Sequence, residues 1–288
     1  MTTPERVTRP LASPPPAAAP APGRQRSAGR IDLQIERRAL RSIVTRLHQG
    51  GALRLRLPRP SAGTDPEAVL INTAGGLTGG DALTVDVALG AGAAGCVTGQ
   101  ACEKIYRTIG GHADQQVRLT LGEDAEFAWL PQPAILFDDC ALTRRIEVDL
   151  APGARLVALE ASILGRHAMG ERIMRCRLRE RWRVRVAGEL KWASELRLDA
   201  PDAEGALPST LDGGRALATL ILVAPEASAR LEAVRAVLEG LHGRAGASAF
   251  DGMLVASLVA PDADALMEDL RVLVECVRQR PIPRVWTC

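Results

Sequence analysis

The chain has 288 residues, 47% of them hydrophobic, enough to bury a core as one large domain or two small ones. Its 36 basic and 34 acidic side chains nearly cancel, so no strong global field draws it onto nucleic acid or an anionic membrane. No run of about 18 apolar residues predicts a membrane span, and six cysteines at 96, 102, 140, 176, 276 and 288, with no C-x-x-C pair, fit reduced thiols in a cytosolic protein.

Residues 1–29 are rich in proline, alanine and arginine and have no apolar periodicity, which predicts a disordered or extended tail. A single domain is expected from residue 30, with the folded start near Ile31. "AVLIN" and "ALTVDVAL" read as strands, and the glycines between them, Gly75, Gly76, Gly79 and Gly80, as a tight connection ending in Asp81. That loop is not a phosphate cradle. It has neither the lysine of a P-loop nor a helix whose amide groups would meet an anion. The alternatives for Asp81 are a plain sharp turn or a carboxylate presented from the loop end.

Further along, "TRRIEVDL" sets Ile146, Val148 and Leu150 against Arg145, Glu147 and Asp149, the alternation of a half-buried strand. Residues 174–198 read as a long hairpin turning at Ala187-Gly188-Glu189. One face carries Met174, Cys176, Leu178, Trp182, Val184 and Val186, broken only by Glu180. The other carries Arg175, Arg177, Arg179, Arg181, Arg183 and Arg185. That row reads first as a solvated face meeting acidic neighbours, and second as a docking face for an acidic partner. A nucleic-acid surface fits less well, because Trp182 and Trp192 lie on the apolar side.

The last third changes period. "ALATLILVA" predicts a buried strand, "ARLEAVRAVLEGLHG" a helix, "FDGMLVASLVA" a strand, and "DADALMEDLRVLVECVRQRP" a helix with Leu266, Met267, Leu270, Leu273, Val274 and Val277 inward. The chain therefore reads as a long β body followed from about residue 215 by a strand-helix-strand-helix part, its two helices covering one side. No catalytic motif appears, and His48, His112, His167 and His242 are scattered without ligand spacing. His242, at a helix end, suits the dipole as a cation. His167 lies in a short segment with Glu160, Arg166 and Glu171 and reads as a structural histidine before it reads as a metal ligand.

Five segments together resemble the urease accessory protein UreD (UreH) family: "NTAGGLTGGD" (72–81), "TGQACEKIYR" (98–107), "WLPQPAILFDDC" (129–140), "EASILGRHAMGER" (160–172) and "RPIPRVW" (280–286). Gly99, Cys102 and Leu164 depart from the residues usual in similar proteins, and Cys102 raises the question of a thiol near the metal. The resemblance implies a mainly β fold, a helix-like stack of strands with two C-terminal α-helices packed on one side. It implies a non-enzymatic maturation factor that binds apo-urease and the accessory proteins F and G, the G protein being a GTPase reached through F. It also implies nickel in transit through a polar passage, with no stably bound cofactor or metal. Weak oxygen ligands suit a passing Ni²⁺ better than a closed cage. The candidates for a nickel pathway or a partner interface are accordingly Asp81, Glu160 and Glu171, then Asp138 and Asp139, for which a surface turn is the other reading. Lys104, Tyr106, Arg166 and His167 are supporting residues. The rival classes are an enzyme with an unrecognised site and a basic binding module built on the Arg175–Arg185 face.

Overall fold

The computed structural model describes residues 26–59, 65–166, 169–200, 211 and 213–287. His167 and most of the N-terminal tail lie outside them. The chain winds back and forth between two sheets. In the first sheet, β1 (Ala28–Arg38), β5 (Ala82–Leu89), β8 (Ala113–Leu121), β11 (Cys140–Leu150) and β13 (Cys176–Val186) run parallel. Antiparallel β2 (Arg41–Gly51) and β14 (Glu189–Ala200) close its edges.

The second sheet stacks β4 (Glu67–Asn72), β6 (Ala94–Gly99), β9 (Glu126–Leu130) and β12 (Arg155–Leu164) in parallel. On one side it ends in β3 (Leu53–Arg56), on the other in β15 (Ala216–Val223), β17 (Met253–Ala260) and β16 (Arg244–Phe250). Two short strands, β7 (Glu103–Ile105) and β10 (Ala134–Leu136), join β12 in parallel. Each coil thus contributes one strand to each sheet, giving a solenoid-like, mainly β stack.

The coil ends differ. At one end the turns after β5, β8 and β11 are four-residue closures that repeat one hydrogen bond, from Ala93 N–H to Gly90, Ala125 N–H to Gly122 and Ala154 N–H to Ala151. At the other end the connections are long: 73–81, 100–112, 131–139 and 165–175. The five quoted segments, apart from the C-terminal one, lie at or lead into this long-loop end.

Alternation explains the interior. Ile146, Val148 and Leu150 face the second sheet, as do Leu178, Trp182 and Val184, and one apolar cluster fills the space between the sheets. Strand β12 is buried on both faces, because its other side packs under the helices. What reads in the sequence as a short polar segment around Glu160 is therefore the most enclosed strand of the fold. The hairpin turn sits at Ala187-Gly188, both at positive φ, as a two-residue hairpin turn requires. A bulge between Val184 and Arg185 shifts the register there, and Leu190 and Met174 are exposed where simple alternation puts them inward.

Helices α1 (Leu231–Leu238) and α2 (Ala263–Arg278) pack on the outer face of the second sheet and form the second apolar cluster. Asp262 caps α2, its side chain accepting the Ala265 amide at 2.9 Å. Asp269, on the buried face of α2, accepts the His242 and Gly243 amides and His242 Nδ1. His242 therefore answers to a carboxylate, which raises its pKa, rather than to a helix end. The C-terminal segment is tied down as well: Trp286 is buried, donates to Thr98 Oγ1 at 3.0 Å and accepts Arg271 through its carbonyl. One element escapes the periodicity reading. The stretch "RAGASAF" is strand β16, paired to β17 through an Asp251-Gly252 turn, so the C-terminal part contains one strand more than expected.

Candidate functional site

The glycine loop is a backbone-to-backbone fit. A Cβ at Gly76 would lie 2.7 Å from the Lys104 carbonyl oxygen and against the Tyr106 ring, and one at Gly79 would strike Thr108 and the Gly110 carbonyl. Asp81 does not project from the loop. It is 6% exposed, and its two carboxylate oxygens accept the Ser27 and Thr78 amides at 2.7 and 2.8 Å. It ties the loop to the start of the first strand.

Glu171, Asp138 and Asp139 meet at the long-loop end. Glu171 accepts the Arg166 amide and guanidinium and the Asp138 amide. Asp138 accepts the Met174 and Arg175 amides, while Asp139, at positive φ, pairs with Arg107 and Arg175. Partial burial pushes the Glu171 carboxyl up, but the Arg166 guanidinium and the two amides outweigh it and hold its pKa below the usual range. Arg166 also lies over the Phe137 ring at 4.3 Å, Tyr106 meets Phe137 edge-on, and the Tyr106 hydroxyl donates to the Gly75 carbonyl. Four of the quoted segments are thereby knitted into one surface, ringed by exposed Ile109, Met169 and Met174.

Glu160 stands apart from these acids. It lies between the sheets and is 4% exposed, beside an arginine and a glutamate that the sequence reading did not name as site candidates. Arg144 of β11 reaches Glu160 Oε2 at 2.7 Å and Glu180 Oε2 at 2.5 Å, and donates to Ser162 Oγ at 3.1 Å. Trp129 Nε1 donates to Glu160 at 2.9 Å and Trp182 Nε1 to Glu180 at 2.8 Å. Every polar side-chain group of the cluster has a partner, the condition under which ionic groups survive in a core. The charges do not balance. Two carboxylates share one guanidinium, and burial, against the Arg144 attraction, pushes the Glu160 pKa up to about 7.

A cavity of about 220 Å³ leads to this cluster. Its outer rim includes Gln100, Lys104 and Gly75, its middle Asn72, Cys102 and Glu103, and its inner end Trp129, Arg144 and Glu160. Glu103, held by Asn72 Nδ2 at 3.0 Å, is largely buried, which raises its pKa; the Cys102 thiol is raised for the same reason. Of the five acids named from sequence, Glu160 alone lines the cavity, and among the supporting residues Lys104 does. Asp81 and Glu171 do not join it. Arg144 and Glu180 were legible in one respect: they are the charged residues that fall on the apolar side of their strands' alternation, whereas Glu103, on a three-residue strand, breaks no such pattern.

Among the described residues no group of three or more His, Cys, Asp or Glu side chains could hold a metal ion. The cavity instead offers two separated carboxylates with amide oxygens between them, ligands suited to weak, sequential contact with a hard or borderline cation. Five cysteines, Cys96, Cys102, Cys140, Cys176 and Cys276, are free, with Cys140 and Cys176 side by side in the core at 3.6 Å.

Comparison with known proteins identifies the family. The family model for the UreD urease accessory protein matches residues 27–287. The chain is similar to Urease accessory protein UreD 2 of Methylorubrum populi, 43% identical over 93% of this chain and 92% of that protein. It is also similar to Urease accessory protein UreD of Xanthobacter autotrophicus, 45% identical over 91% of both chains, and to that of Brucella suis, 46% identical over 74% and 77%. With the match spanning nearly all of the described residues, the chain belongs to the UreD urease accessory protein family.

Proposed function

We propose that the protein is a maturation scaffold that binds apo-urease together with accessory proteins F and G, the GTPase joining through F, in the cytoplasm, and that nickel moves by way of the cavity between its sheets toward the urease active site. The observation that carries this reading is the cavity's lining: one carboxylate midway along it, Glu103, and a second at the inner end, Glu160, whose Arg144 partner is shared with Glu180 outside the lining. The cluster's excess negative charge attracts a cation, and the lack of a closed cage lets the cation leave. Above pH 7 Glu160 is ionised and the attraction is strongest. The knitted surface around Tyr106, Phe137, Arg166 and Glu171, with its exposed Ile109, Met169 and Met174, is the surface we assign to protein partners.

The test is Glu103→Ala. The variant should co-purify with urease and the accessory proteins as the wild type does, while urease matured with it carries several-fold less nickel. Normal nickel content in a fully assembled complex would remove the cavity from the route, and failure of the wild-type chain to co-purify with urease would remove the scaffold reading itself.

A further inference from the structure

A second cavity, of about 720 Å³, opens at the short-turn end of the stack, on the outer side of the second sheet where α2 stops at Arg278. Its floor is formed by the beginnings of β6, β9 and β12 and the end of β15. Its walls are the 279–284 segment and the turn that carries Glu226 and Arg230. None of the residues named from sequence as site candidates lies here.

The cavity's charge is one-sided. Six arginines line it against four acids, Asp65, Glu67, Glu126 and Glu226. Two of those acids, Asp65 and Glu126, are taken by Arg280 at 3.2 and 2.9 Å, and Glu226 by Arg155. Arg230 is left with a loose 3.8 Å approach to Glu226 through Nη2. Its Nη1 is buried and has no hydrogen-bond partner, the only buried side-chain nitrogen or oxygen in that condition among the described residues. Arg278 projects over the floor close enough to Cys96 to act on its thiol and donates one hydrogen bond to the Pro281 carbonyl. A buried guanidinium N–H without an acceptor costs free energy, and folded proteins rarely retain one without a use.

We infer that this cavity is an oxyanion site, in which Arg230, seconded by Arg278, receives a phosphate or carboxylate group. The chemistry follows from the donors. A guanidinium presents paired N–H groups in a planar fork that matches two oxygens of one anion, and the Arg230 guanidinium, with one loose carboxylate approach at 3.8 Å and an Nη1 that no protein group answers, is the one in this cavity least committed to a protein acceptor. Cations are disfavoured where arginines outnumber acids, and a neutral ligand leaves Arg230 and Arg278 without a close anionic partner. The oxyanion has two possible sources, a free small anion or an acidic side chain of a partner protein.

Isothermal titration of the full chain with inorganic phosphate, with citrate and with a synthetic decapeptide of alternating leucine and glutamate separates the sources. A decapeptide of leucine and lysine serves as the control. The expected result is saturable binding of at least one of the three anions, weakened on the order of 10- to 100-fold in Arg230→Gln, the loss of one or two charge-assisted hydrogen bonds. Binding of phosphate or citrate assigns a free anion, and binding of the acidic peptide alone assigns a partner's carboxylate. Arg230→Gln removes an unanswered donor and so should fold with unchanged thermal stability; Arg278→Gln is the second variant and should also weaken binding. Absence of saturable binding by all three anions, equal binding by the lysine peptide, or affinity unaltered in both variants would overturn the assignment.

Discussion

Strands β11 and β13 put the same residue types on their two faces, and the faces obey different physics. Inward, Arg144 and Glu180 stand directly opposite each other in register, each 4% exposed or less, with Glu160 closing from the second sheet. Outward, Arg181 pairs with Glu195 and Arg185 with Asp149, while Arg145 Nη1 donates to both carboxylate oxygens of Asp114. The inner cluster has no water to fall back on, so each group depends on every other. The outer row is half-exposed, screened and replaceable. Charge on this protein is consequential where it is scarce and nearly inert where it is abundant.

Breaking the inner cluster should have the largest effect. Arg144→Ala strands two buried carboxylates and should lower stability by about 3–5 kcal/mol in urea unfolding, or give insoluble protein. Replacing all three groups together, Arg144→Met with Glu160→Gln and Glu180→Gln, should recover much of that loss, because no buried charge is then left without a counter-charge and the amide oxygens still accept the Trp129 and Trp182 N–H groups. If the triple variant were as unstable as Arg144→Ala, the cost would lie in packing rather than in unpaired charge.

Asp81 comes next. Read as a turn residue it should behave as a surface position, but its carboxylate answers two amides, so Asp81→Ala should cost about 1–3 kcal/mol. A change within about 0.5 kcal/mol would restore the plain-turn reading.

The pH dependence sharpens the contrast between buried and exposed acids. The folded Glu160 pKa of about 7 lies above its ordinary 4.5, so between those values the folded chain holds more proton than the unfolded chain. Its contribution is therefore complete below pH 4.5 and is lost as pH rises to 7. Relative to Glu160→Gln, the wild type should lose stability on the order of 1–3 kcal/mol between pH 5 and 7.5. A difference that stays flat or rises over that window would contradict the assignment. The smallest effect belongs to the outer row, where Arg179→Ala and Arg183→Ala should each change stability by less than about 0.5 kcal/mol.

These contrasts also explain what the sequence discloses. The strands, the long hairpin and both C-terminal helices follow from periods of two and 3.6, because burial of one face imposes them. Strand β16 leaves no such trace, since Arg244 to Ala249 are mostly small residues whose inward and outward positions look alike. The inner cluster was half legible. Glu180 visibly breaks an apolar row, and Arg144 breaks its neighbour two positions before Ile146; what joins them is the parallel register, which no local pattern encodes. The same limit applies to the acids. Asp81, Glu160 and Glu171 sit in similar-looking motifs, yet one caps a loop, one lines the cavity and one braces the outer surface. Long-range pairing decides among them.

The most direct test of the central claim is Glu160→Gln, which keeps the side chain's shape and its contact with Trp129 while removing the charge at the inner end of the cavity. Nickel per urease active site should be measured after maturation with this variant, alongside recovery of the complex with urease and the accessory proteins. A cavity that carries nickel predicts a fully assembled complex whose urease holds several-fold less metal, the deficit widening above pH 7 where the wild-type carboxylate is ionised. Urease loaded to the wild-type level at every pH, by a variant that folds and assembles normally, would contradict it.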